Sequence, residues 1–437
     1  MAEAAPWTPA PAAASLWAAT ARPARAFPAL DGDVQADTVV VGAGYTGLSA
    51  ALHLADSGIE PLVIEAEQPG WGASGRNGGV VAAKFRLAFP DMAARHGRAT
   101  AARMYQLAHE AVDLVEELVD RHGIADARLT RSGQVKAAHN PAALAHAVAE
   151  AEWLRRELGD RTMTVLSRAE VAEETGSTGF AGGVRNAGSG GLHPLNYLRG
   201  LADGADRRGI RICGGTPALR IRREGAGVLV VTPGGSVRAR RVVLATNGYS
   251  DRTRATDALR RRIVPFRSAI IATEPLTANL AATIMPSRRT YGETRRMMRW
   301  FRMVDGRVVF GGRGAFGKAD SPAAFRALER AMVGIFPALA DVPVAYRWSG
   351  LVAMTMDAVP HVGRLDDRVL FALGYNGAGV AMAGLMGRYI AAFARGEQPD
   401  MGLLDAARLA PVPFHPLREP AVRLVAGWYQ FLDTIGR

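Results

Sequence analysis

Residues 37–65 read D-T-V-V-V-G-A-G-Y-T-G-L-S-A-A-L-H-L-A-D-S-G-I-E-P-L-V-I-E. The apolar run Thr38–Val41 predicts a buried strand, and Gly42, Gly44 and Gly47 form G-x-G-x-x-G at its end. A helical pattern follows, with Leu48, Leu52 and Ala55 on one face. Gly58 ends that helix, Pro61–Ile64 makes a second strand, and Glu65 stands 18 positions after Gly47. The glycines let the backbone turn and come close to a pyrophosphate, and the helix start turns unpaired N–H groups and the positive end of its dipole toward it. Tyr45 and Thr46 belong to the same cradle. Glu65, with Ala66 beside it, is placed to accept hydrogen bonds from ribose hydroxyls and disfavours a 2′-phosphate. Motif, strands, helix and acid together make a dinucleotide-binding βαβ unit.

Around this unit the bulk properties set limits. A chain of 437 residues predicts two domains, and a hydrophobic content of 49% permits a large core. The most apolar C-terminal stretch, Val380–Ala394, is interrupted by Arg388, so no stable membrane insertion is expected. No basic segment precedes a compact apolar one at the N-terminus, so a cytoplasmic location is expected. The single cysteine, Cys213, leaves no Cys-based metal cluster, so no metal is expected, and it reads as a buried, inert thiol. Net charge is +12, yet the arginines are spread along the chain rather than gathered with aromatics on one element, so nucleic acid is not an expected partner. The sequence does not fix the oligomeric state.

Residues 1–30, rich in Ala and Pro, predict a loosely ordered arm. Residues 91–122 and 141–158 read as amphipathic helices. A strand–turn–strand segment leads to Arg241–Gly248, a strand that ends in the small residues A-T-N-G. A β-rich segment occupies Ile263–Gly312. The chain then returns to a strand, Val369–Leu373, a glycine loop, Gly374–Gly379, and a helix, Val380–Ala394.

An NAD dehydrogenase usually continues with further βα units, whereas this chain makes one and then inserts long segments. With W-G-A-S-G-R-N-G-G from Trp71, G-G-L-H-P-L from Gly190 and T-E-P-L from Thr273, the order is distinctive. F-G-G-R-G from Phe310, W-S-G-L from Trp348 and G-Y-N-G-A-G-V from Gly374 complete it. The pattern resembles the FAD-dependent, D-amino-acid-oxidase-like amine oxidoreductases over Val39–Phe393, and within them the γ-glutamylputrescine oxidase and L-pipecolate oxidase branch. The resemblance implies an α/β fold with α+β insertions: a Rossmann-like FAD-binding domain of glutathione-reductase type and a discontinuous β-sheet substrate domain. The expected division gives residues 31–95, 160–255 and 345–437 to the FAD and residues 96–159 and 256–344 to the substrate.

It further implies non-covalent FAD. Ala218 would lie against adenine, and Thr246 and Gly248 would pass beside the cofactor. Ala73, Ser74, Arg76, Asn77, Gly78 and Gly79 would border the flavin ring. Gly374, Asn376, Gly377, Gly379 and Val380 would cap its pyrimidine end, with a helix dipole aimed there. The implied activity is oxidation of a secondary or ω-amine, often one bearing a carboxylate, with O₂ or another electron acceptor as co-substrate. Family carboxylate clamps fall on Ala381 and Val352, and an oxygen-activating lysine falls on Val309. Replacement cations are Arg76, Arg299, Arg302 and Arg313. With three lysines in the chain, a substitute for the oxygen lysine would be Lys84 or Lys318. Trp300, Trp348 and Tyr375 are either pocket walls or core aromatics. Trp300, Arg302, Arg313 and Tyr375 are the candidate catalytic residues, while His193 and His361 read as structural. A dehydrogenase of the same fold, and a non-catalytic FAD-binding protein, remain alternatives.

Overall fold

The run before Gly42 is the centre of a sheet. The computed structural model describes residues 12–313 and 320–417, with isolated positions 10, 420, 424, 427 and 428 outside those stretches. Along the chain come α1 (Leu16–Thr20), β1 (Val34–Val41), α2 (Tyr45–Asp56), β2 (Pro61–Ile64), β3 (Val80–Val81), α3 (Phe89–His96), α4 (Arg98–His122), β4 (Gln134–Ala138), α5 (Pro141–Leu158) and β5 (Met163–Leu166). Next are α6 (Arg168–Thr175), β6 (Gly182–Asn186), β7 (Gly190–Gly191), α7 (Pro194–Arg207), β8 (Arg211–Cys213), β9 (Arg220–Glu224), β10 (Gly227–Thr232), β11 (Gly235–Leu244) and α8 (Asp257–Arg260). The rest holds β12 (Val264–Thr273), α9 (Ala278–Thr283), β13 (Thr290–Glu293), β14 (Trp300–Val304), β15 (Arg307–Arg313), α10 (Pro322–Ile335), β16 (Val344–Met354), β17 (His361–Arg364), β18 (Val369–Leu373) and α11 (Gly379–Ala394).

The first sheet has the order β17-β18-β11-β1-β2-β8. Its middle strands are parallel, and the β9–β10 hairpin pairs antiparallel with the first half of β11. Strands covered on both faces need apolar residues at successive positions, which is why β1 and β2 read as unbroken runs. Alternation sorts them: Val40, Val63 and Val243 face a core shared with α2, α4, α7 and α11, and Val39, Val41, Leu62 and Ile64 face another. α2 and α11 lie so close that a Cβ on Gly387 would stand 2.6 Å from Ser49 Oγ. That hydroxyl donates to the Gly384 carbonyl at 2.8 Å.

The second sheet has the order β16-β12-β15-β14-β13-β4-β6-β5. One face packs Tyr291, Phe301 and Phe310 against Phe325, Leu328 and Met332 of α10. The other face looks toward the carboxyl ends of the parallel strands of the first sheet, and a cavity of about 720 Å³ lies between them. Ligands of open α/β sheets bind at that edge.

The expected boundaries at 160 and 345 do not follow the sheets. β5 and β6 hydrogen-bond to β4 within the second sheet, and β16 pairs along its length with β12. α4, expected on the substrate side, packs in the first sheet's core with α2 and α11. Strand partners are long-range, so position along the chain could not place these segments. Gly97 also splits the expected helix 91–122: its φ of 86° ends α3 and starts α4. The N-terminal arm is not loose from Ser15 onward. Ser15 caps α1, Leu16 and Trp17 are fully buried, and Phe27 and Leu30 are buried too. Residues 1–9 and 11 lie outside the described residues. Among the described residues no helix is long and apolar enough to cross a membrane.

Candidate active site

The nucleotide end of the cavity is made by backbone. Gly42 has a φ of 107°, and its N–H donates to Ile64 O at 2.8 Å. A Cβ on Gly47 would lie 1.8 Å from Gly42 O, so this glycine seats α2 against β1 and does not itself line the cavity. Gly44 closes on Ser74, whose Oγ would sit 3.0 Å from an added Cβ. The Tyr45 N–H at the start of α2 donates to the same Oγ at 3.1 Å. Glu65 accepts from Ala43 N–H at 2.7 Å and from Glu67 N–H at 3.2 Å. Burial pushes its carboxyl up, and those two N–H groups pull it back. Ala66 lines the cavity beside it, as do Thr216, Pro217 and Ala218.

The loop after Trp71 forms a single 3₁₀ turn at Ala73–Gly75 that lies across the start of α2. Asn77 organises it: Nδ2 donates to Ala73 O (3.2 Å) and Ser74 O (2.9 Å), and Oδ1 accepts from Gly79 N–H (2.8 Å). Two indoles hold consecutive carbonyls of this loop. Trp348 Nε1 donates to Arg76 O at 2.9 Å, and Trp17 Nε1 donates to Asn77 O at 2.8 Å. The two rings meet edge to face at 6.1 Å. Trp348 is therefore a core aromatic, whereas Trp300 lines the cavity. Trp300 fits against Gly78 and Gly311, where added Cβ atoms would fall 2.5 and 2.1 Å from its ring. Arg76 also lines the cavity, donates through Nε to Trp71 O and stacks 4.5 Å over the Trp71 ring.

The last glycine loop closes the site. Gly377, Ala378, Gly379 and Val380 line the cavity where α11 begins. Asn376, at φ 53°, exchanges hydrogen bonds with Thr355: its Oδ1 accepts from Thr355 N–H and its Nδ2 donates to Thr355 Oγ1, both at 3.0 Å. Tyr375 lines the cavity while its hydroxyl bonds Thr46 Oγ1, tying the two glycine loops together. Burial raises the phenol, so it stays protonated.

Several expected site residues face elsewhere. Gly79 and Gly374 do not line the cavity; added Cβ atoms would strike Leu192 O and Thr355 Cγ2, both at 2.2 Å. Gly248 turns toward Leu351 of β16, although Thr246 and Asn247 beside it do line the cavity. Arg302 is not a lining residue. Its Nη1 donates to Gly78 O, Gly79 O and Leu192 O at 3.3, 3.1 and 3.0 Å, so the guanidinium holds the loop rather than a ligand. Burial pushes it down to about 10. The Arg313 side chain lies outside the described residues, and Arg299 pairs with Glu293 at 3.4 Å.

Val309 is buried with Leu16, Trp17, Ile270 and Trp348, and Ala381 is buried on α11; neither lines the cavity, whereas Val352 does. Both histidines are structural. His193 caps α7, accepting from Asn196 N–H through Nδ1, and burial holds it down to about 4. His361 bonds Asp357 at 2.9 Å and Asp405 O at 3.2 Å. Sequence reasoning missed Trp17, Thr216 and Asn247. Trp17 gave no signal because its contact crosses 60 positions to Asn77.

These residues fit an extended dinucleotide. A helix start, a half-buried acid just after β2, and two small-residue loops all line one cavity. Among the described residues neither His nor Cys lines it. A family model described as FAD dependent oxidoreductase (DAO) matches residues 37–393. Gamma-glutamylputrescine oxidoreductase of Escherichia coli (strain K12) is 32% identical over 428 residues, covering 97% of this chain and 98% of that protein. A probable oxidoreductase OrdL of Haemophilus influenzae is 30% identical over 411 residues, 93% of this chain and 94% of its own. Among solved structures, L-proline dehydrogenase from P. horikoshii has a TM-score of 0.72 at 20% identity, covering 87% of this chain and 98% of that one. Glycine oxidase from Geobacillus kaustophilus has a TM-score of 0.71 at 21% identity, covering 87% and 99%. With the match spanning most of the chain, and with the dinucleotide cradle built where that match requires it, the protein belongs to the FAD dependent oxidoreductase (DAO) family and is an FAD-dependent amine or amino-acid oxidoreductase.

Proposed function

We propose that the substrate is a secondary or ω-amine that carries a carboxylate, and that O₂ takes the electrons. The observation that carries this reading is the cavity wall beside the glycine loops, where Trp300, Tyr375, Phe266, Ile270 and Leu351 offer an apolar and aromatic surface with no histidine among the described lining residues. Such a wall excludes water and favours a neutral amine, whose nitrogen lone pair assists loss of hydride from the adjacent carbon. Bound FAD supplies the acceptor for that hydride equivalent. Trp300 and Tyr375 orient the amine, and Arg76, Asn77 and the start of α11 hold the edges of the site. Likeness to the gamma-glutamylputrescine oxidoreductase supports an ω-amine with a remote carboxylate.

A second reading passes electrons to a quinone or a protein. It is favoured by the aliphatic Val309 at the position where the resemblance places an oxygen-activating lysine, buried with Leu16, Trp17 and Trp348. Anaerobic titration of the yellow protein with a panel of amines and amino acids tests the substrate class by bleaching. Admitting air and measuring hydrogen peroxide then separates the acceptors. A panel in which only primary α-amino acids bleach the protein rules out the proposed amine.

A further inference from the structure

We propose that Lys84 anchors the carboxylate of the substrate, in the part of the cavity where residues 82–86 meet β4 and α5. The inference rests on the amine reading above and names the residue that selects the anionic end.

Lys84 lines the cavity together with Lys136 of β4 and Glu150 of α5. Most of the other lining charges are already engaged. Lys136 pairs with Glu150 at 3.2 Å, Arg252 with Glu67 at 2.9 Å, and Arg295 with Glu293 at 3.4 Å. Glu65 is held by backbone N–H groups, Arg76 gives its Nε to Trp71 O and stacks on that ring while its buried Nη2 makes no hydrogen bond, and Arg86 and Arg296 have partners of their own. Among the described residues, the Lys84 ammonium makes no hydrogen bond and no ion pair. Lys84 is half-buried on the cavity wall, and a partly desolvated cation without a partner gains from an entering anion. The positions where relatives would clamp a carboxylate are uncharged here, and Arg302 is committed to three carbonyls. Burial holds Lys84 down to about 8, with Lys136 acting in the same direction, so the ammonium is charged at neutral pH yet close to titration.

The test uses the FAD-loaded protein and four small probes. Glutarate and its neutral diamide are followed by the flavin difference spectrum; N-methyl-γ-aminobutyrate and N-methylbutylamine are followed by anaerobic bleaching. A charge-assisted bond contributes enough for a change of about 10- to 150-fold in affinity. Lys84→Met is expected to weaken glutarate and N-methyl-γ-aminobutyrate by that factor. The diamide, N-methylbutylamine and the limiting bleaching rate should stay unchanged, and Lys84→Arg should retain most of the binding. The thermal midpoint of Lys84→Met should not fall, since an unpaired, half-buried charge is removed; Lys84→Gln repeats the test if that variant does not retain FAD. Wild-type protein that binds glutarate no better than the diamide overturns the proposal, as does equal weakening of charged and neutral probes. If no amine bleaches the protein, the amine reading fails, and the glutarate arm still decides whether Lys84 holds a carboxylate.

Discussion

The two ends of the cavity are built from different material. At the nucleotide end the wall is largely backbone: Gly42–Thr46, the turn at Ala73–Gly75 and the start of α11, seated by Gly47 and Gly75, where added Cβ atoms would fall 1.8 and 2.0 Å from backbone oxygens. At the end proposed for the amine the wall is side chain: Trp300, Phe266, Lys84 and Lys136, drawn from elements far apart in sequence. A backbone wall tolerates little change in the glycines that seat it, such as Gly47. A side-chain wall can change its ligand by single substitutions while the fold stays intact. Between the two ends stands the loop Arg76–Gly79, whose carbonyls are held by Trp17, Trp348 and Arg302.

The largest effect should come from removing the pin between the ends. Trp17→Ala takes a fully buried indole out of its cluster, and a change of that kind costs about 3–5 kcal/mol. Denaturant unfolding should show that loss, with FAD released early. An unaltered midpoint would mean that the arm is an ornament to the fold.

Gly47→Ala should cost about 3 kcal/mol, at the upper end of overpacking, because the new methyl meets backbone rather than a flexible side chain. Gly44→Ala meets only Ser74 Oγ, so its apoprotein should unfold near the wild-type midpoint while its FAD affinity falls. Equal destabilisation of the two apoproteins would erase the distinction between a packing glycine and a ligand-facing one.

Arg302→Met should lower stability by about 1–3 kcal/mol, the cost of leaving buried carbonyls unpaired. The KM of the best carboxylate-bearing amine should stay within about twofold. A large rise in KM with unchanged stability would return Arg302 to the substrate.

The smallest effect is in pH. Carboxylate binding by Lys84 should be present below about 8 and fade as pH rises through it, since the ammonium carries the charge only when protonated. In Lys84→Arg the glutarate Kd should stay flat to pH 10, because guanidinium keeps its proton. A slope that survives in Lys84→Arg would show that the pH dependence does not come from Lys84.

What the sequence by itself determined is the nucleotide half. Gly42, Gly44, Gly47 and Glu65 sit within one short stretch, and local geometry turns such spacing into a strand, a turn and a helix start with little help from elsewhere. The order of the later glycine loops identified the family for a related reason: loops that must approach a flat ligand keep small residues in fixed places. The tertiary structure alone decided which side chains face the ligand. Arg302 and Trp300 are two residues apart on β14, yet one binds the loop's carbonyls and the other lines the cavity. Gly248 and Asn247 are adjacent and face different ways. The partition of strands between sheets, the burial of Trp17 under the flavin loop and the unpaired Lys84 all depend on contacts across tens to hundreds of positions. Such contacts leave no local pattern, because the free energy that fixes them comes from packing that only the folded chain brings together.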